Sequence, residues 1–297
     1  MHKKEFKELL RSEGIELSGV LSIDECTVTR RYLLERAGIE KGSAIIMAVP
    51  YASDDIGRGN VSEYAKSRDY HIYFRDLFAR IIPRLRSLLK SNTFVGFADH
   101  SPINEIEAAA RAGLGIIGMN GLLITENYSS FVFLGEIFTD LILESDAQEI
   151  AHCKECGRCR AACPSSLAHP QSCLSAITQK KGELTDSEKM LIIGSGLVWG
   201  CDHCQLSCPY TEAAIAGGTL FTSIPFFTEQ RLPSLTYDSV NGMSESEFSQ
   251  RAYAWRGRST VLRNLALSES NGKRGTCCDE KCQAIYQPNI TKKSSQG

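Results

Sequence analysis

Residues 151–165 read AHCKECGRCRAACPS and residues 200–210 read GCDHCQLSCPY. The first stretch spaces Cys153, Cys156, Cys159 and Cys163 as C-x2-C-x2-C-x3-C with Pro164 behind the last. The second carries Cys201, Cys204 and Cys208, closed by Pro209. The first run is the ligand pattern of bacterial two-cluster iron–sulfur proteins, in which the fourth cysteine serves the other cluster. With Cys173 counted in, Cys153, Cys156, Cys159 and Cys208 form one quartet. Cys163, Cys173, Cys201 and Cys204 form the other. A small ferredoxin-like unit with two 4Fe-4S clusters is expected. Zinc fits poorly, because it favours two C-x2-C pairs with a spacer, and this run crowds too many thiols for one tetrahedral ion. Such a unit takes roughly 60 residues. The rest of the chain therefore holds a substrate or a second redox centre, which argues for an oxidoreductase.

The 297 residues suffice for one large domain or two modest ones, and 42% apolar with 23% charged residues is ordinary for a globular protein. A net charge of −2 gives no global attraction to nucleic acid, although a local basic patch is compatible with it. The opening MHKKEFKELLRSEG has no apolar core of a signal peptide, and no run reaches bilayer length. Twelve cysteines without a secretion signal fit metal ligation in a reducing cytoplasm better than disulfides.

Working outward, residues 3–12 suggest a helix stopped by Gly14, and 28–37 another stopped by Gly38. Residues 15–22, 44–49 and 94–98 suggest strands. The pattern predicts a long helix over 61–90, interrupted near Pro83. Ser101-Pro102 suits a helix start running to Arg111. Residues 122–125 and 131–138 predict strands joined by ENYSS, and 245–268 one or two helices. The fold class expected is a layered α/β (α+β) domain beside the cluster unit. The division is 1–146 for cofactor and substrate, 147–215 for the clusters, and 216–297 for a helical segment and polar tail. The tail from Ser268 is expected to be disordered at its end, and Cys277, Cys278 and Cys282 within it have no assigned role.

Asp99 ends an apolar strand before a helix start, where α/β sites tend to sit. Burial would raise its pKa and suit a proton donor, but a plain capping role is equally compatible. The glycines of RAGLGIIGMNGLLI, 111–124, permit either close approach to a ligand or a tight connection; no strand leads into a dinucleotide fingerprint. Tyr64, Arg68, Tyr70 and His71 read as one polar aromatic helix face or as a partly solvated one.

VPY at 49–51, EYAKSRDYH at 63–71 and Asp99 with Ser101-Pro102 join AGLGIIGMNGLLI at 112–124 and SSFVFLGEIFTDL at 129–141. With CLSAIT at 173–178 and GCDHCQLSCPY, these segments resemble the epoxyqueuosine reductase family. The resemblance implies a cobalamin-binding domain, related in architecture to reductive dehalogenases, joined to the double-cluster unit. It implies reduction of epoxyqueuosine to queuosine in tRNA, with a ferredoxin or flavodoxin as electron donor, no membrane, and a monomer. It makes Asp99 the proton donor and puts Arg31, Asn120, Ser130, Ser175 and Asp202 around the cobalamin or the nearby cluster. Against the family pattern, Met119 replaces a lysine, His100 a threonine or serine, and Ala176 a tyrosine. The Pro164–Cys173 connection is short, and the usual basic segment shrinks to WRGRSTVLRN, 255–264. Fewer cations mean fewer phosphate contacts. Two other functions are therefore kept: a paralogous corrinoid and iron–sulfur reductase of a small molecule, and a non-catalytic electron-transfer protein.

Overall fold

The structure, a computed structural model, describes residues 2–165 and 172–272. Among them the elements run α1 (Lys3–Ser12), β1 (Leu17–Ser22), α2 (Arg31–Arg36), β2 (Ser43–Pro50), α3 (Tyr70–Leu88), β3 (Phe94–Phe97), α4 (Glu105–Arg111), β4 (Ile116–Ile117), β5 (Leu123–Ile124) and β6 (Val132–Thr139). Shorter helices follow: α5 (Arg158–Ala161), α6 (Leu174–Thr178), α7 (Asp186–Ser195), α8 (His203–Leu206), α9 (Pro209–Ala216), α10 (Pro225–Thr228), α11 (Tyr237–Asn241), α12 (Glu245–Phe248) and the longer α13 (Arg258–Gly272). None of the described helices is long and apolar enough to cross a membrane.

β2 is apolar on both faces because it is sandwiched. Ile45, Met47 and Val49 pack with Phe6 and Leu10 of α1 and Phe74, Leu77 and Ile81 of α3. Ala44, Ile46 and Ala48 pack on the opposite side with Leu34 of α2, Ala108 and Ala109 of α4, and Leu123. The sheet between them has the order β1-β2-β6-β3, and every pairing is antiparallel. Gly135 of β6 is required by this packing: a Cβ there would lie 2.3 Å from the Phe74 ring.

Three sequence expectations change. The helix predicted over 61–90 starts at Tyr70, capped by Asp69, and runs through Pro83 without a break. Residues 61–68 are instead held by bridges from Val61 to Trp199 and from Arg68 to Arg251. Val61, Trp199, Tyr253, Val261 and Leu265 share one core there. Those partners are remote in sequence, so local propensity could not register them. The helix expected at Ser101-Pro102 starts at Glu105, because the Asn104 side chain takes the Glu107 N–H as N-cap. The Pro102 carbonyl is spent on the Thr29 and Arg30 N–H groups. The antiparallel sheet also removes the parallel-strand crevice as a reason to place a site at Asp99. α13 continues past Ser268 to Gly272, and Cys277, Cys278 and Cys282 lie outside the described residues.

Candidate functional site

Asp99 follows β3 in a left-handed conformation, φ +68°. The His100 N–H reaches the Ala98 carbonyl at 2.9 Å across it, closing a three-residue turn of a rare and strained kind. The turn presents the Asp99 side chain to solvent, two-thirds exposed, 3.6 Å from Nε2 of His71. His71 lies in the first turn of α3, where its Nδ1 also meets the Asp69 carboxylate at 2.8 Å. Hydrogen bonding to Asp69 and then Asp99 raises the His71 pKa to about 9. In return, His71 lowers that of Asp99, against burial, with Arg30 adding to the effect. This reverses the expected upward shift: the imidazolium outweighs the partial desolvation. Tyr70 completes the corner, its ring stacked on Phe133 at 4.3 Å. Arg68 precedes the helix and lies over Phe226, so the four residues do not make one solvated face.

The thiols gather on the other side. Cys153, Cys156, Cys159 and Cys208 line one small cavity, together with Met119 and Asn120. The β4–β5 hairpin delivers its wall: the Cys153 N–H bonds the Ile117 carbonyl at 3.0 Å, and the Met119 N–H points at the Cys153 sulfur at 3.2 Å. Glycines serve this hairpin directly, since a Cβ on Gly115 would meet the Ile124 carbonyl at 2.3 Å. Cys204 lies in the electrostatic field of Cys163 and Cys173, and Cys201 in that of Cys204 and Cys173. Burial pushes the Cys201 thiol up to about 12 and Cys204 up to about 11, and neighbouring Asp202 and thiols push the same way. Thiolates in this setting need a cationic partner, which iron supplies. Among the described residues, no three His, Cys, Asp or Glu side chains close on a single-ion site.

Asp202 connects the two sides. It is buried, accepting the Ser62 hydroxyl and the Glu63 N–H at 2.6 Å, and burial raises its pKa to about 6. Glu63 is in turn paired with buried Lys66 and with Arg231. Gln205 donates to Asp202 and accepts from the Ser130 hydroxyl at 3.0 Å. Asp99 and Asp202 both act on the Tyr64 phenol, so both lie in one electrostatic neighbourhood. The Asn120 side chain reaches Cys204 as well as the first cavity. Ser175 accepts from Gln179 inside α6, next to Cys173. Arg31 is exposed at the start of α2, whereas its neighbour Arg30 bonds the Ser101 carbonyl at 2.9 Å and faces Asp99. Sequence reasoning passed over Arg30, Gln205, Glu105 and Glu136. Only Glu136 left a signal, as a lone acid inside the apolar run FLGEIF.

No protein-family model matches the chain. Epoxyqueuosine reductase from Lactococcus garvieae is 30% identical over 221 residues, covering 72% of this chain and 62% of that protein. The solved epoxyqueuosine reductase from Streptococcus thermophilus superposes with a TM-score of 0.71 at 25% identity, covering 91% of this chain and 81% of that one. The chain is a relative of the epoxyqueuosine reductases. The Bacillus subtilis epoxyqueuosine reductase shares the fold, with a TM-score of 0.73 at 24% identity over 95% of this chain and 83% of that one. The chain spans 56–62% of the length of the first two curated epoxyqueuosine reductases it matches.

Proposed function

We propose that this chain reduces epoxyqueuosine to queuosine in tRNA. The observation that carries the reading is the pairing of the His71–Asp99 corner with two groups of thiols in a relative of the epoxyqueuosine reductases. Removing an epoxide oxygen to leave an alkene consumes two electrons and two protons and releases water. Cys153, Cys156, Cys159 and Cys208 hold one 4Fe-4S cluster, and Cys163, Cys173, Cys201 and Cys204 the other. The cavity of the first group and the cation-poor thiols of the second fit such clusters. When bound, cobalamin supplies a strongly reducing metal for the carbon–oxygen bonds. Asn120, beside Cys204, and Ser130 with Asp202, joined through Gln205, form the protein side of that face.

The protons come from the corner. At neutral pH the labile proton rests on His71 and Asp99 is ionised, by the directions of their shifts. Asp99 therefore hands over a proton that His71 resupplies across the 3.6 Å contact. Trp255 is exposed, with the Arg256 guanidinium over its ring at 3.7 Å. An aromatic and a cation of this kind suit an unpaired base and its phosphate, which supports a tRNA loop as substrate.

The test is anaerobic reconstitution with iron, sulfide and cobalamin, followed by epoxyqueuosine-tRNA and a strong reductant. We expect about eight irons per chain and conversion to queuosine. A loaded, reduced protein that leaves the tRNA untouched overturns the substrate assignment, and turnover of a free epoxide in its place favours a small-molecule paralogue.

A further inference from the structure

Directly beneath the Asp99 turn lies a second pair of acids. Glu136 sits in β6 opposite Phe97 of β3 and is fully buried. Neither of its carboxylate oxygens accepts a hydrogen bond of ordinary geometry, although the Ser101 hydroxyl and the Glu105 carboxyl lie beside it. Glu105, half-buried at the start of α4, turns its Oε1 to the Asp99 N–H at 3.0 Å. A buried carboxylate with no donor is strongly disfavoured, and so are two carboxylates side by side. One proton between them removes both difficulties: Glu136 donates it to Glu105, and the charge left on Glu105 faces the Asp99 N–H.

We propose that Glu105 and Glu136 share one proton and act as a latch that holds the strained Asp99 turn in place. The strain gives the latch its purpose. A left-handed aspartate at the centre of a three-residue turn relaxes unless its backbone is tied down. The tethers are the Glu105 carboxylate on one side and His100 on the other, whose ring meets the Tyr32 hydroxyl at 2.9 Å. The groups facing the pair are Asp99, Arg30 and Ser101, with Cys26 within reach of the Glu136 charge. Burial raises the pKa of both acids, Arg30 opposes this at Glu105, and Ser101 opposes it at Glu136. Loss of the shared proton puts two like charges together, drives Glu105 off the Asp99 N–H and frees the turn. Glu105 and Glu136 are positioning residues, and their importance for turnover rests on the reading of Asp99 as proton donor.

Two readouts test the latch without turnover, using the full chain. Infrared spectra at neutral pH are expected to show the carbonyl stretch of a protonated carboxylic acid, absent in Glu136→Gln. Hydrogen exchange of the segment containing Asp99, corrected for intrinsic rates, is expected to rise about tenfold or more in Glu105→Ala. It should stay slow in Glu136→Gln, whose amide still donates to Glu105. In the wild-type chain the same segment should loosen as alkaline pH removes the shared proton, which keeps the test open if a variant fails to fold. No protonated carboxyl band, a band that survives in Glu136→Gln, or unchanged exchange in Glu105→Ala overturns the latch. Full turnover by Asp99→Asn with the band still present would overturn the proton-donor reading alone.

Discussion

Two aspartates, Asp99 and Asp202, carry opposite pKa shifts for reasons that lie in their surroundings. Asp99 is exposed on a strained turn, and the neighbouring His71 lowers its pKa. Asp202 is buried between Ser62, Glu63 and Gln205, and desolvation raises its pKa to about 6. The first is poised for exchange with solvent and substrate. The second is consumed by hydrogen bonds that fasten the thiol-bearing turn to the 62–66 segment. A perturbed carboxyl is thus not by itself a catalytic one; its exposure and its partners separate reaction from architecture.

The sharpest separation is expected from Asp99→Asn. Asparagine tolerates a positive φ, so the turn survives and only the acid is lost. Turnover should fall about 10²–10⁴-fold with thermal stability and iron content unchanged. A variant that unfolds instead would make Asp99 architectural, like Asp202. Next is Asp202→Ala, which strands the Ser62 hydroxyl and the Glu63 N–H in a buried place. We expect a loss of about 1–3 kcal/mol for each unpaired donor, read from denaturant unfolding. An undiminished midpoint would erase the contrast between the two acids.

His71→Gln should have a smaller effect, visible mainly against pH. His71 has a raised pKa, so its contribution to stability is complete below the ordinary histidine value and fades as pH climbs through about 9. The wild-type rate should show an alkaline limb near that pH, and the variant should lose it. Asp99 runs the other way: its favourable contribution is present above the ordinary aspartate value and is lost as acid protonates it. A wild-type profile flat across pH 9 would disconnect His71 from proton supply.

Much of the fold was legible in the sequence. β2 and β6 announced themselves as apolar runs, and α1 and α2 by their glycine stops at Gly14 and Gly38. The start of α3 was not legible, because residues 61–68 are held by Trp199 and Arg251 from far along the chain. Ser101-Pro102 misled for a similar reason, since Asn104 offered a cap that the tertiary course of the chain preferred. In the site, Asp99 could be named from the chain, but its partner His71 and the Glu105–Glu136 pair below it could not be joined to it.

The chain by itself determined the thiol pattern, because ligand spacing along a short stretch is a local property that survives any folding around it. The tertiary structure alone decided which acids are charged. Ionisation depends on burial and on neighbours brought in from other elements, such as His71 from α3 and Glu136 from β6, and no spacing rule encodes those distances.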